Sequence, residues 1–346
     1  MATIFSQPKS ETADKAHIRK GVLTGIQVLG VGSYTPDEVV RNEDLIELGY
    51  DPDWIVQRTG ILERRRAAAG MATSDMAFEA AARCLEDADV DPSEVDLIVV
   101  ATTTPDTLMP STACLVQGRL GCPAGAMDIN AACTGFMYAM ITAAQFVKTG
   151  SSRRALVIGA DLMSRFLNPE DRGTFPLFGD AAGAVLLGAG ESDQGLLSFT
   201  LGSDGDGADL LSVPGCGSRE PASKSVIAAK RQFMQMEGRA VFKWAVRTIS
   251  DTIIDVVSAA DLTPSDIDLL VLHQANVRII DAAVDCLNID REKVVVNLDR
   301  YGNTSAGSIP LALDEARCEG RIEHGDNILL CGFGAGLTWG SAVLKW

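Results

Sequence analysis

The chain reads as an α/β protein built from two duplicated halves, and three observations predict it. After residue 21, short apolar strands alternate with amphipathic helices, which is the pattern of α/β architecture. Residues 92–100 (P-S-E-V-D-L-I-V-V) return as residues 264–272 (P-S-D-I-D-L-L-V-L), each behind an amphipathic segment, 74–89 in one case and 246–261 in the other. A second echo pairs Ala184-Val185-Leu186 with Ala342-Val343-Leu344. Such recurrences also arise where α/β chains reuse one helix-turn-strand idiom, but a duplication explains both echoes in order. At 346 residues the chain exceeds one ordinary core, so halves of 22–195 and 196–346 are expected.

Taken in order, residues 1–21 are polar, lack periodicity and read as an N-terminal extension. Leu97–Val100 and Ala155–Ile158 are continuous apolar runs, as central strands covered on both faces require. The strand ending at Ile129 gives way to a helical pattern at Met137, Met140, Ile141 and Ala144. Residues 202–223 are rich in Gly, Asp, Ser and Pro; Asp204, Asp206 and Asp209 faintly suggest a calcium loop. The spacing lacks the later bidentate glutamate, so a glycine-rich turn is the reading. Leu269–Leu272 and Ile328–Cys331 complete the strands of the second half.

Composition narrows the function. With 47% hydrophobic and 22% charged residues the chain can bury a large core, and 30 basic against 46 acidic residues leave a net charge of −16. That balance argues against nucleic acid and anionic lipid as partners. No apolar run approaches about 20 residues and the leader has no signal-peptide centre, so a soluble, cytoplasmic protein is expected. Eight scattered cysteines without C-x-x-C pairs read as free thiols. Only three histidines occur: His17 in the leader, His324 in a polar turn, and His273. Zinc sites built on several histidines are therefore not expected, and no metal site is assigned.

Cys133 stands apart in Asp128-Ile129-Asn130-Ala131-Ala132-Cys133-Thr134-Gly135-Phe136. Small neighbours leave the sulfur accessible, and a helix N-terminus favours thiolate. A nucleophile and a buried core cysteine both remain open on these residues alone. His273 follows a strand directly, where sites collect in α/β sheets, although a structural histidine also fits. Asn303 lies in the small-residue loop Tyr301-Gly302-Asn303-Thr304-Ser305-Ala306-Gly307. Gly332-Phe333-Gly334-Ala335-Gly336 comes too close to the chain end for a dinucleotide loop, but its N–H groups suit a developing oxyanion.

Asp128–Phe136, His273-Gln274-Ala275-Asn276, Gly302-Asn303-Thr304-Ser305 and Gly334–Gly340, in that order, resemble ketoacyl-acyl-carrier-protein synthase III. Asp53-Trp54-Ile55-Val56, Arg58-Thr59-Gly60-Ile61, Asp171-Arg172-Gly173 and Phe178-Gly179-Asp180 extend the likeness from about Gly25 to Trp346. The resemblance implies a thiolase-like fold, a layered α-β-α-β-α sandwich, paired as a homodimer. It implies a reaction between an acyl-CoA primer and malonyl-acyl-carrier protein, with acyl-CoA a substrate and no cofactor. Cys133 would carry the acyl group. The N–H groups of Cys133 and Ala335 would form the oxyanion hole, His273 and Asn303 would hold the enolate, and Phe333 would wall the decarboxylation site. Trp54 and Arg165 would sandwich the adenine, Arg58 and Arg278 would meet phosphate or pantetheine, and Asn276, Gly238 and Phe242 would line the tunnel.

Two departures follow from the same resemblance. Met109 stands where a phenylalanine often bounds the primer pocket across the dimer, and a flexible thioether suits a longer or branched primer. The helix after Arg278 carries Asp281 and Asp285 where lysines often meet the carrier protein, leaving Lys243 and Arg239 nearby. A specialised homologue in secondary metabolism is the alternative. A non-enzymatic acyl-CoA sensor would more plausibly have lost one of the three residues, and a thiolase proper would need a second late cysteine, whereas Cys331 reads as core.

Overall fold

The computed structural model describes residues 20–346, so the expected extension lies outside it except for its last two residues. Two five-stranded sheets carry the structure. The first runs in the order Ile26–Tyr34, Asp180–Ala189, Arg154–Leu162, Leu97–Ala101 and Gly125–Ile129. The second runs Gly21–Thr24, Gly195–Ser203, Thr338–Lys345, Asn327–Gly334 and Leu269–Leu272.

The sequence echoes occupy matching places in the two sheets. Leu97–Ala101 lies parallel to Arg154–Leu162, which lies antiparallel to Asp180–Ala189. In the same way Leu269–Leu272 lies parallel to Asn327–Gly334, itself antiparallel to Thr338–Lys345. Even the turns agree. Pro92–Glu94 and Pro264–Asp266 are single 3₁₀ turns opened by proline, whose missing N–H costs nothing at a helix start.

Period-two alternation divides each strand between an inner and an outer layer. Leu97, Val99 and Ala101 face a central core shared with Leu269 and Val271, while Ile98 and Val100 face an outer core. Leu270 and Leu272 turn to a third core on the far side. The central layer is formed by the helices Gly135–Lys148 and Ser308–Cys318. Phe136, Met137, Met140, Ile141 and Ala144 are all buried, because this helix has a sheet on either side. Outer layers come from Thr73–Asp87 and Thr112–Leu120 on one face, and Gly238–Ala259 and Val277–Leu287 on the other. The five layers expected of a thiolase-like sandwich are present.

One strand crosses the expected boundary. Gly21–Thr24 pairs antiparallel with Gly195–Ser203 in the second sheet, so the chain joins the first sheet only at Ile26. Between the halves, Gly205–Leu210 forms a 3₁₀ turn, with Asp204 Oδ1 accepting from Asp206 N at 3.1 Å. Two glycines let the halves close. A Cβ on Gly159 would lie 2.1 Å from Ala306 O, and one on Gly183 2.6 Å from Leu311 N. The loop carrying Asn303 is thereby pressed onto the first sheet, beside Cys133.

Candidate active site

Cys133 stands in the 3₁₀ turn Ala132–Thr134, between the edge strand Gly125–Ile129 and the central helix. Ala132 takes φ +50, a conformation costly for a residue with a Cβ, and this sharp turn sets the sulfur at the helix start. The late glycine strand passes directly over it, since a Cβ on Gly334 would lie 2.8 Å from Cys133 N. The next residue, Ala335, lines a cavity with Cys133, and among the described residues its N–H has no acceptor.

His273 leaves the end of Leu269–Leu272, with its N–H donating to Cys331 O at 2.8 Å. Its ring meets Phe333 edge-on, centroids 5.0 Å apart, and is 1% exposed. Burial pushes the imidazole down to about 3, so the ring is neutral at pH 7, and Nδ1 has no partner among the described residues. Asn303 is fixed through its backbone, its N–H donating to Leu177 O at 2.8 Å. Its Oδ1 accepts from Ser305 N at 2.9 Å, which turns the amide nitrogen outward as a donor. Cys133, His273, Asn303 and Phe333 line one cavity of about 100 Å³.

Cys133 also borders a second cavity of about 700 Å³, where Met163, Phe166, Leu211, Val213 and Met234 supply an apolar wall. The sulfur therefore sits where the small chamber holding His273 and Asn303 meets the large cavity. Burial, with the nearby Asp161 carboxylate acting in the same direction, pushes the Cys133 thiol up to about 12.

At the mouth of the small chamber, Gly238, Phe242 and Asn276 line the wall. Asn276 caps the helix Val277–Leu287 and donates from Nδ2 to Arg58 O at 3.0 Å. The Arg278 guanidinium lies over the Phe242 ring at 5.1 Å. Five of the expected contact residues thus cluster at one opening. Trp54 and Arg165 do not meet at either cavity. Trp54 is 44% exposed on the helix Pro52–Thr59 and lines neither. Arg165 lines the large cavity and donates to Ala68 O at 3.1 Å. Arg172 lies against Gly49, where an added Cβ would come 2.9 Å from its Nη2. Met109 is 83% exposed beside Leu108 and lines no cavity of its own chain.

Two residues escaped the sequence reading. Asp161 is fully buried and accepts from Thr102 Oγ1, Thr103 N, Thr103 Oγ1 and Thr104 Oγ1 at 2.8–3.0 Å, and from Ala306 N at 3.0 Å. Ser305 lines the large cavity beside Cys133. The signal for the first was a lone acid in the apolar strand Leu156-Val157-Ile158-Gly159-Ala160-Asp161, opposite the run Thr102-Thr103-Thr104. Among the described residues no group of three or more His, Cys, Asp or Glu could hold a metal ion, and no helix is long and apolar enough to cross a membrane.

The neutral imidazole has a measurable consequence. Below about pH 6.5 an unfolded histidine binds a proton that buried His273 refuses until about pH 3. The folded state then holds fewer protons, so stability falls as pH drops through this window and is untouched above it. His273→Gln is expected to flatten this acid slope by up to about 1.4 kcal/mol per pH unit, read by urea unfolding at pH 7, 5 and 4. Equal slopes in both proteins would contradict the neutral ring.

The fold and this site define an acyl-transferring condensing enzyme with a thiolase-like sandwich. Residues 127–205 match the 3-oxoacyl-[acyl-carrier-protein] synthase III model and residues 257–346 match that family's C-terminal model. The chain is 55% identical to the beta-ketoacyl-[acyl-carrier-protein] synthase III of Rhodopirellula baltica, covering 94% of this chain and 100% of the relative. A crystal structure of 3-oxoacyl-[acyl-carrier-protein] synthase III from Aquifex aeolicus superposes with a TM-score of 0.86 at 42% identity, over 93% of this chain and 100% of that one. The priming beta-ketosynthase of the R1128 polyketide pathway follows at 35% identity and a TM-score of 0.87, over 95% and 98%. The chain belongs to the beta-ketoacyl-[acyl-carrier-protein] synthase III family.

Proposed function

We propose that the chain condenses an acyl-CoA primer with malonyl-acyl-carrier protein and so starts fatty-acid synthesis. The carrying observation is that Cys133 from one half and His273 and Asn303 from the other line a single small chamber. The Cys133 thiolate attacks the primer thioester, forming the acyl-enzyme as the bond to CoA breaks and CoA leaves as its thiol. The N–H groups of Cys133 and Ala335 hold the oxyanion. Malonyl then loses carbon dioxide, and the enolate oxygen takes hydrogen bonds from His273 and Asn303. Phe333 supports this step, since an apolar wall disfavours a carboxylate relative to carbon dioxide. The enolate carbon attacks the acyl carbon and expels the Cys133 thiolate. No metal or cofactor enters these steps, acyl-CoA being a substrate.

Arg58, Arg278, Asn276, Gly238 and Phe242 lie at the opening of the chamber, which suits the CoA arm, with Trp54 outside for the adenine. Exposed Arg239 and Lys243 flank the same helix start and suit an acidic carrier protein. A homodimer is supported by the edge strand Gly125–Ile129, which pairs on one side only, and by exposed Leu108 and Met109. Eight free thiols support a reducing, cytoplasmic setting. Relatives named beta-ketoacyl-[acyl-carrier-protein] synthase III match this chain at 55% and 52% identity, against 35% for the polyketide priming enzyme.

Mass analysis of products from an acyl-CoA panel with malonyl-carrier protein tests this reading, and no 3-oxoacyl product from any primer would defeat it. The large cavity far exceeds an acetyl group, so longer or branched primers are expected among the good substrates. Met109→Phe is expected to lower kcat/KM for long primers more than for acetyl-CoA, by roughly 1–3 kcal/mol of discrimination, the scale of a misfit in an apolar pocket. An unchanged chain-length profile would place the boundary at other residues.

A further inference from the structure

Gln274 follows His273 directly and takes no part in the proposed steps. It is 1% exposed, and its amide is bonded on both sides. Nε2 donates to Leu272 O at 2.9 Å and to Val295 O at 3.0 Å, while Oε1 accepts from Asn297 N at 3.0 Å. Its backbone N–H donates to Ser308 Oγ at 2.7 Å. Val295 and Asn297 precede Asn303 in the chain and Ser308 follows it, so one residue holds the stretch carrying Asn303 from both sides. Asn297 opens the helical turn Leu298–Tyr301 and reaches the central helix, its Nδ2 donating to Glu315 Oε2 at 2.7 Å. The same residue fixes the backbone on either side of His273, at Leu272 O and at Gln274 N.

We infer that Gln274 is a positioning residue for decarboxylation: its amide sets the separation of His273 and Asn303, so that both reach one enolate oxygen. The inference rests on His273 and Asn303 being the donors to that oxygen. His273 Nδ1 has no partner among the described residues, so no hydrogen bond at that nitrogen orients the ring. The ring is placed by its backbone and by the edge-on contact with Phe333. Asn303 Oδ1 is bonded within its own loop, to Ser305 N, and the Asn303 backbone is bonded to Leu177 and Gly179 of the first half. Neither contact ties it to the strand that ends at His273. The backbone link between the two segments, Val295 N to Leu270 O at 3.0 Å, stops short of both donors. Beyond it the Gln274 amide carries the connection, since a primary amide can bond several main-chain groups in fixed directions at once. A buried network satisfied in this way is rigid. Gln274 lines neither cavity, so it acts through its neighbours and touches no reacting atom.

Gln274→Met keeps the length of the side chain and removes its hydrogen bonds. Leu272 O, Val295 O and Asn297 N then lose a buried partner, so the melting temperature falls. Rates are therefore read well below it and per acyl-enzyme formed. Carbon dioxide release from malonyl-carrier protein is expected to slow roughly 10- to 100-fold, the scale of a misplacement of about 1 Å. Single-turnover acylation should stay within a few-fold, and KM for malonyl-carrier protein should hold while kcat falls. Damage to packing alone would lower both half-reactions together. Gln274→Glu, read at pH 6, is the gentler variant. Its carboxyl, kept protonated by burial, still accepts from Asn297 N and donates once, and should recover part of the lost rate. Added to Asn303→Ala, Gln274→Met should cost far less than in the wild type, because one of the two donors it spaces is already gone. Unchanged carbon dioxide release in folded Gln274→Met overturns the inference, as does an equal fall in acylation, or an undiminished loss in the Asn303→Ala background. Where Gln274→Met does not fold, the same split in Gln274→Glu decides. Asn303→Ala alone is the separating control. Normal carbon dioxide release there defeats the enolate donors themselves, whereas slow release there with normal release in Gln274→Met defeats only the role of Gln274.

Discussion

Cys133→Ser is expected to fold normally and to take up no acyl label from acyl-CoA. The exchange of sulfur for oxygen is nearly isosteric, and at 7% exposure the site should tolerate it without a large cavity. The chemistry does not tolerate it. A serine hydroxyl needs a strong general base before it attacks a thioester, and the nearby imidazole is pushed down to about 3 by burial alone. A base that weak cannot carry the proton of an alcohol. A thiol needs less help, because it ionises more readily and a thiolate is intrinsically nucleophilic. The loss should be roughly 10³-fold or more, on the scale of deleting a covalent nucleophile. Protein-bound radiolabel after gel filtration, with intact-protein mass, checks it. A label retained on folded Cys133→Ser would assign the acyl group to another side chain.

The frame of the molecule was legible because its signals are local. Continuous apolar runs such as Leu97–Val100 need no partner to be recognised as buried strands, and the proline-opened turns before Leu97 and Leu269 announce themselves by composition. The meeting of Cys133, His273 and Asn303 followed from ordered motifs. What escaped depends on partners far along the chain. Gly21–Thr24 carries no mark showing that it joins Gly195–Ser203 rather than its neighbour Ile26–Tyr34, since strand pairing is decided by tertiary packing. Arg165 and Arg172 are indistinguishable as charges, and only the loop carbonyls of Ala68 and Met71 show where Arg165 is held. Ser305 lay inside a recognised motif, but its distance from residue 133 in sequence concealed that the two line one cavity. Asp161 was hidden in the same way, because its donors are reached through the sheet and the second half.

Asn303→Ala is expected to separate the two half-reactions. Acylation asks for a thiolate, the two N–H groups of the oxyanion hole and room for the primer, and Asn303 belongs to none of these. Decarboxylation asks for donors to an enolate oxygen, and the Asn303 amide is oriented for that, with its oxygen engaged by Ser305 N and its nitrogen left to donate. An amide has no proton to relay at pH 7, so a hydrogen bond is the whole of its chemical contribution. The variant should form acyl-enzyme within a few-fold of the normal rate, while condensation falls by roughly 10²–10³, the range for removing one oxyanion donor. His273→Ala should damage decarboxylation similarly and acylation less, since a neutral ring is a donor to the enolate before it is a base for the thiol. Single-turnover acylation measured beside release of labelled carbon dioxide from the malonyl substrate decides both. Asn303 Oδ1 also receives the Ser305 N–H, so truncation removes one anchor of the turn Ser305–Gly307 beside the cavity. The clamp from Asp161 to Ala306 N and the backbone bond from Asn303 N to Leu177 O both survive the substitution, so the turn should stay in place. Equal loss of acylation and carbon dioxide release in folded Asn303→Ala would show that the amide acts on the nucleophile, and the division of labour across the small chamber would have to be redrawn.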